Sequence, residues 1–270
     1  MTVRTATEIA RGATTVLFVP GDRPERFAKA AAAGPDLVII DLEDAVPHEH
    51  KAAARANAAE WAVTGNRCAV RVNAADTDFF ANDLAALTET GAAIMLAKAE
   101  SPDVVQAVTE VAGTGVIPLI ETARGILAAA DIAAVPGVAR LAIGTFDLAA
   151  QLGVDPADRK ALLASRSALV LASAAAGLVG PLEGVTGAVD DADRITADAQ
   201  HARRLGFGGK LCIHPKQLAP TIAAFAPTDE EVAWARRIVD NVDTDGVAIV
   251  DGQMVDKPVV DRALHILARR

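Results

Sequence analysis

The chain has 270 residues, 51% of them hydrophobic and only 3% aromatic, and a formal charge of −9. That length fits one large domain or two small ones, and (β/α)8 barrels commonly reach it as a single domain. Negative charge and scarce aromatics argue against a general nucleic-acid surface, and no apolar run reaches the roughly 18–20 residues needed to cross a bilayer.

Residues 1–13 carry Arg4, Glu8 and Arg11 with no apolar h-region, unlike a secretory signal. The first predicted strand, Val16–Val19, ends in "VPGDRPERF", and helical spacing follows over Pro24–Ala33. Arg23 and Arg26 flank Pro24 at that helix start, where amides and cations can converge on a phosphate. A solvated basic helix end explains them equally well. The second strand, Leu37–Ile40, runs into Asp41, Glu43 and Asp44. Carboxylates so close repel, and one resists ionisation unless positive charge lies nearby.

Helical spacing resumes over His50–Ala62, then a third strand, Ala69–Val72, supplies Arg71 and Asn73 in "RVN". Strand four, Ala93–Leu96, leads into Lys98 and Glu100, and a helix covers Asp103–Val111. Strand five, Val116–Ile120, ends in Glu121 and Arg124, and strand six, Leu141–Ile143, is followed by Asp147. Strands seven and eight are expected at Leu178–Leu182 and Lys210–Ile213, with a helix over Ala188–Leu205 between them. "GFGGK" lacks the spacing and the Ser/Thr of a P-loop, so Gly206–Gly209 reads as a tight helix-to-strand turn. His214, before Pro215, reads as structural.

Eight strands alternating with helices predict a parallel (β/α)8 TIM barrel over residues 1–225. After Phe225 the pattern changes to a capped amphipathic helix, a loop, an extended stretch and a last helix. Residues 226–270 therefore read as a C-terminal helical arm lying across the barrel or on another subunit. Cys68 and Cys212 sit inside apolar runs and read as buried thiols in a reducing, cytoplasmic compartment.

Barrel chemistry collects at the C-terminal ends of the strands. Glu121 and Asp147, expected on adjacent strand ends, are the natural pair for Mg²⁺, which one or two carboxylates usually hold, with waters and substrate oxygens completing the octahedron. Surface acids at helix starts are the plainer alternative. No zinc-type Cys/His spacing occurs. Beside such a metal, Arg71 suits a substrate carboxylate or a developing enolate, or an ion pair with the Asp41–Asp44 cluster.

Together "LFVPGDRPERF", "DLVIIDLEDAV", "RVN", "ETARGI", "GTFDL", "GFGGKLCIHPKQ" and "DGQMVDKPVV" resemble the citrate lyase beta subunit-like (CitE-like) proteins. These sit among the malyl-CoA and citramalyl-CoA lyases of the HpcH/HpaI aldolase superfamily. The resemblance runs from about Val16 to the last helix. It implies a Mg²⁺-dependent (β/α)8 barrel, assembled as a homotrimer or hexamer, that makes or breaks a C–C bond between an acetyl thioester and a 2-oxo acid. It also implies Glu121 and Asp147 as metal ligands, and Arg71 at the oxo-acid and enolate region. Asp256 falls on an acid that reaches into a neighbouring subunit's site to exchange a proton with the acetyl methyl carbon. Asp41 or Glu43, or a metal-bound hydroxide, is then a candidate base for the hydroxyl proton, and Arg23, Arg26 and Lys98 are candidate contacts to the acyl-CoA thioester. Ala97 departs from the proline that often precedes the lysine in this family. The alternatives are a citryl-acyl carrier protein lyase, a thioesterase or malate synthase activity, and a non-catalytic partner-binding subunit.

Overall fold

The computed structural model describes residues 5–113, 115–241, 248–250 and 252–269. Eight parallel strands close into a barrel in chain order: β1 (Thr15–Pro20), β2 (Leu37–Asp41), β3 (Cys68–Val72), β4 (Ala93–Leu96), β5 (Val116–Ile120), β6 (Ala142–Ile143), β7 (Leu182–Glu183) and β8 (Gly209–Cys212). Closure comes where Thr15 of β1 pairs with Lys210 of β8. This is the expected (β/α)8 architecture. Strands covered on both faces read as continuous apolar runs, and β2 is buried at every position.

Period-two alternation sends one set of side chains inward. Val16, Leu37, Ile39, Ala69, Ala93, Met95, Ile117, Leu119, Ala142, Leu182 and Leu211 form the interior cluster. Its lower end is stoppered by the helix Ala6–Gly12, whose Ala6 and Ala10 join that cluster. Thr5 and Glu8 start this helix with a reciprocal capping box.

Around the barrel, local sequence explains the helix ends. Ser101 accepts from the Asp103 amide and precedes Pro102, opening the helix Pro102–Ala112; Gly113 closes it at φ 60°. The helix Lys51–Val63 buries Lys51, Ala54, Ala58 and Ala62 along one face.

Four elements differ from expectation, one of them the helix expected from Ala188, which starts at Ala192. Pro24–Ala33 divides into a 3-10 turn, Pro24–Arg26, and a short helix, Phe27–Ala32. Strand seven starts at Leu182, because Leu178–Pro181 is a connector: Val179 is exposed and Pro181 has no amide to donate. The extended stretch in the tail is an antiparallel hairpin, β9 (Ala248–Val250) with β10 (Gln253–Val255). The loop expected before it lies outside the described residues over 242–247, as do residues 1–4.

The chain divides into two compact units, Met1–Ala224 and Phe225–Arg270. The second has its own core: Val232, Ala235 and Ile238 of the helix Asp229–Asn241 pack with Val250, Val255, and Ala263 and Ile266 of the helix Lys257–Leu267. Arg262 lies over the Trp234 ring at 4.7 Å. Among the described residues no helix is long and apolar enough to cross a membrane, and Cys68 and Cys212 are buried and unpaired.

Candidate active site

β2 carries its apolar run straight into the acids, and the structure shows what makes this tolerable. Asp41 is 1% exposed and caps its own turn: Oδ1 accepts from the Glu43 amide at 2.9 Å and Oδ2 from the Ala45 amide at 3.1 Å. Arg71 stands next to Asp41 in the parallel register of β2 and β3. It donates Nε to Oδ1 at 2.7 Å and Nη2 to Oδ2 at 2.6 Å, a two-pronged pair that fixes the guanidinium plane. Its Nη1 lies 2.9 Å from Glu43 Oε2, and Lys98 donates from Nζ to Glu43 Oε1. Burial opposes the Arg71 charge, but Asp41 and then Glu43 outweigh it and hold its pKa above the usual value. Burial raises the Glu43 pKa, against the pull of Arg71 and Lys98. Asp44 is exposed.

A third cation sits beneath this turn. Lys51 is buried, and its Nζ donates to Leu42 O, Glu43 O and Asn73 Oδ1, each at 2.7 Å. Sequence reading missed it; the available signal was a lysine on an otherwise alanine buried stripe.

Glu121 follows β5 directly and is 3% exposed. Its Oε1 accepts from the Lys98 backbone N–H at 2.9 Å, and burial, then repulsion from Glu43, push its pKa up to about 8. The backbone of Gly144 passes so close that a Cβ there would collide with the Glu121 carboxylate. Asp147 is not a strand-end residue: it lies in the first turn of the helix Thr145–Leu152. Lys98 Nζ is 3.5 Å from its Oδ2.

These pieces surround a cavity of about 430 Å³ at the C-terminal end of the barrel. Asp41, Asp44, Arg71, Glu121 and Asp147 form its polar wall, and Phe18, Leu119, Ile143, Phe146, Val185, Leu211 and Ile213 its apolar one. Among the described residues no group of three or more Asp, Glu, His or Cys side chains is arranged around a metal position. Two carboxylates facing one cavity nevertheless suit Mg²⁺. Glu121, buried and held from ionising, is a group whose charged form a cation would stabilise.

The structure thus brings together Asp41, Glu43, Arg71, Lys98, Glu121 and Asp147. It does not bring Arg23 and Arg26 to the cavity wall: both are exposed, and Arg26 Nε lies 3.8 Å from Glu25. Asp256 belongs to the second unit, half-buried at the start of the last helix. Its carbonyl accepts from the Val259 and Val260 amides, and its carboxylate makes no capping bond. His214 accepts the Lys216 amide at Nδ1, a local contact that caps the following turn.

The HpcH/HpaI aldolase/citrate lyase family matches residues 14–215. The chain belongs to this family. A citrate lyase subunit beta-like protein of Mycobacterium tuberculosis is 41% identical over 261 residues, covering 94% of each chain. A (3S)-malyl-CoA thioesterase of Cereibacter sphaeroides is 37% identical over 268 residues, 95% of this chain and 92% of that one. Among solved structures, CitE of M. tuberculosis in complex with magnesium, acetoacetate and coenzyme A superposes with a TM-score of 0.85 at 39% identity, over 96% of this chain and 98% of that one. The M. tuberculosis citrate lyase beta subunit complexed with oxaloacetate and magnesium gives 0.72 at 39% identity, over 81% and 99%. Lyases of the HpcH/HpaI and citrate lyase type are therefore the setting in which this cavity is read.

Proposed function

We propose that this protein is a Mg²⁺-dependent C–C lyase that cleaves a 3-hydroxyacyl-CoA of the citramalyl-CoA or malyl-CoA type into acetyl-CoA and a 2-oxo acid. The observation that carries the reading is the single cavity in which Arg71, Glu121 and Asp147 converge. The relatives with magnesium, coenzyme A and small oxo acids support it.

Glu121 and Asp147 would hold the cation, and when bound it supplies Lewis-acid polarisation of a substrate oxygen. Arg71, held in plane by Asp41, pairs with the carboxylate of the oxo-acid half. As the C–C bond breaks, its electron pair passes into the acetyl thioester as an enolate, whose charge Arg71 opposes. The hydroxyl proton goes to Glu43. Asp41 is committed to Arg71 and to two amides, and so acts by holding Arg71. Asp256, from a neighbouring subunit of a homotrimer or hexamer, returns a proton to the enolate carbon. Its carboxylate, free of capping duty, suits that role. Arg23 and Arg26, exposed beyond β1, are free to meet CoA phosphates, with Lys98 closer to the thioester. A cytoplasmic home fits the two unpaired buried thiols.

The decisive experiment is incubation with a panel of malyl-, citramalyl- and citryl-thioesters, on CoA and on acyl carrier protein, with Mg²⁺ or chelator and products read by mass spectrometry. Acetyl-CoA with an equimolar 2-oxo acid supports the reading. Free CoA with an intact hydroxy acid supports thioester hydrolysis instead, the second reading, favoured by the 37% identical thioesterase. No turnover of any thioester refutes both.

A further inference from the structure

We propose that Lys51 is a positioning residue for this reaction, a buried ammonium that clamps the β2 turn and thereby sets Glu43 against Arg71 and Lys98. The role rests on the lyase reading, but its geometry stands apart from that reading.

An ammonium has three N–H donors and no acceptor. In Lys51 each has one partner at 2.7 Å: the carbonyls of Leu42 and Glu43, and Asn73 Oδ1. The same turn spends its amides on the opposite side, where Glu43 N and Ala45 N donate to Asp41. Asp41 thus takes the amides of Glu43 and Ala45 while Lys51 takes the carbonyls of Leu42 and Glu43, so the path of the backbone through Glu43 is pinned from both sides. The clamp itself is anchored. Asn73 donates from Nδ2 to Asp83 Oδ2 at 2.6 Å, and Asp83, fully buried, takes Arg55 Nε at 2.8 Å.

Reach comes from the helix. Lys51 is its first residue and shares the buried stripe with Ala54, Ala58 and Ala62, and its long side chain extends under the turn. Catalytic groups held loosely lose rate before they lose binding. A clamp that acts through Glu43 should therefore show itself in kcat.

The test compares Lys51→Met, Glu43→Gln and the double variant, using a thioester that the wild type cleaves, in Mg²⁺. The expected result is a folded Lys51→Met protein with kcat lowered roughly 10- to 100-fold and KM for the thioester within about 3-fold. The double variant should be no slower than Glu43→Gln alone, because both changes act on one group. Hydrogen exchange should quicken at the amides of residues 42–46 while β1, β3 and β4 stay protected. That readout needs no turnover, so failure of the lyase reading leaves the clamp still decidable. Wild-type kcat or unchanged exchange in Lys51→Met overturns the proposal, as do losses that multiply in the double variant. If Lys51→Met does not fold, Asn73→Ala, which removes one of the three acceptors, is read in the same way and must show the same pattern.

Discussion

Lys98 donates its backbone N–H to Glu121 Oε1 from a left-handed conformation, φ 48°, while its side chain turns to Glu43. One residue thus holds two acids, Glu121 of the cavity wall and Glu43 behind Arg71, and its backbone is held in a region that residues with a Cβ seldom adopt. Lys98→Gly and Lys98→Ala both remove the ammonium, but only glycine accepts this φ without strain. Denaturant titrations should find the glycine variant more stable than the alanine variant by about 1 kcal/mol. Equal stabilities, or the reverse order, would count against the strained conformation.

Gly144 is a second backbone condition on Glu121. A methyl group there occupies the space of the carboxylate, so Gly144→Ala should displace Glu121 and weaken Mg²⁺ binding by roughly 10- to 100-fold. Overpacking should cost about 1–3 kcal/mol of stability. Calorimetric Mg²⁺ titration checks this, and an affinity equal to wild type would detach Glu121 from the metal site.

The role proposed for Asp256 makes a demand on assembly. Asp256→Asn and Arg71→Ala should each be nearly inactive. When subunits of the two exchange, some sites combine an intact Arg71 with an intact Asp256 from another chain, and activity should return. Co-purified hybrids as inactive as their parents would refute a proton donor in trans.

Cys68 supplies a pH dependence. Burial raises its pKa from 9.0 to about 12. A group whose folded pKa is raised costs nothing below its unfolded value. Above that value the unfolded chain gains a thiolate that the folded chain denies, so stability falls as pH climbs from about 9 towards 12. The loss at pH 11 should be about 2–3 kcal/mol. The chain has no tyrosine to titrate in the same range. Unfolding curves of wild type and Cys68→Ala from pH 8 to 11 should diverge, and parallel curves would be the contrary result.

The barrel was legible because strands buried on both faces announce themselves as short apolar runs, and β4 and β5 fall on their expected residues. β7 was misplaced because Leu178 and Val179 are as apolar as a strand while lying in a connector. In the cavity, Arg71 and Glu121 could be found because one lies near the end of β3 and the other directly follows β5. Asp147 could be found too, though a helix and not a strand delivers it. Lys51 left only the faint signal of a lysine on an alanine stripe, since its partners, two backbone carbonyls and an amide oxygen, are recorded by no residue spacing. Gly144 was equally silent: its importance lies in what a side chain would strike.

The helix Ala6–Gly12 makes the barrel a blind well. Among the described residues, Ala6 and Ala10 pack into the inward side chains at the end opposite the cavity that Glu121 lines. Water obeys the same geometry. A molecule seated across the mouth of that cavity therefore stands between solvent and the buried carboxylate, and an empty mouth leaves that approach open. For the thioester proposed as substrate, its own bulk would then set how much water reaches Glu121.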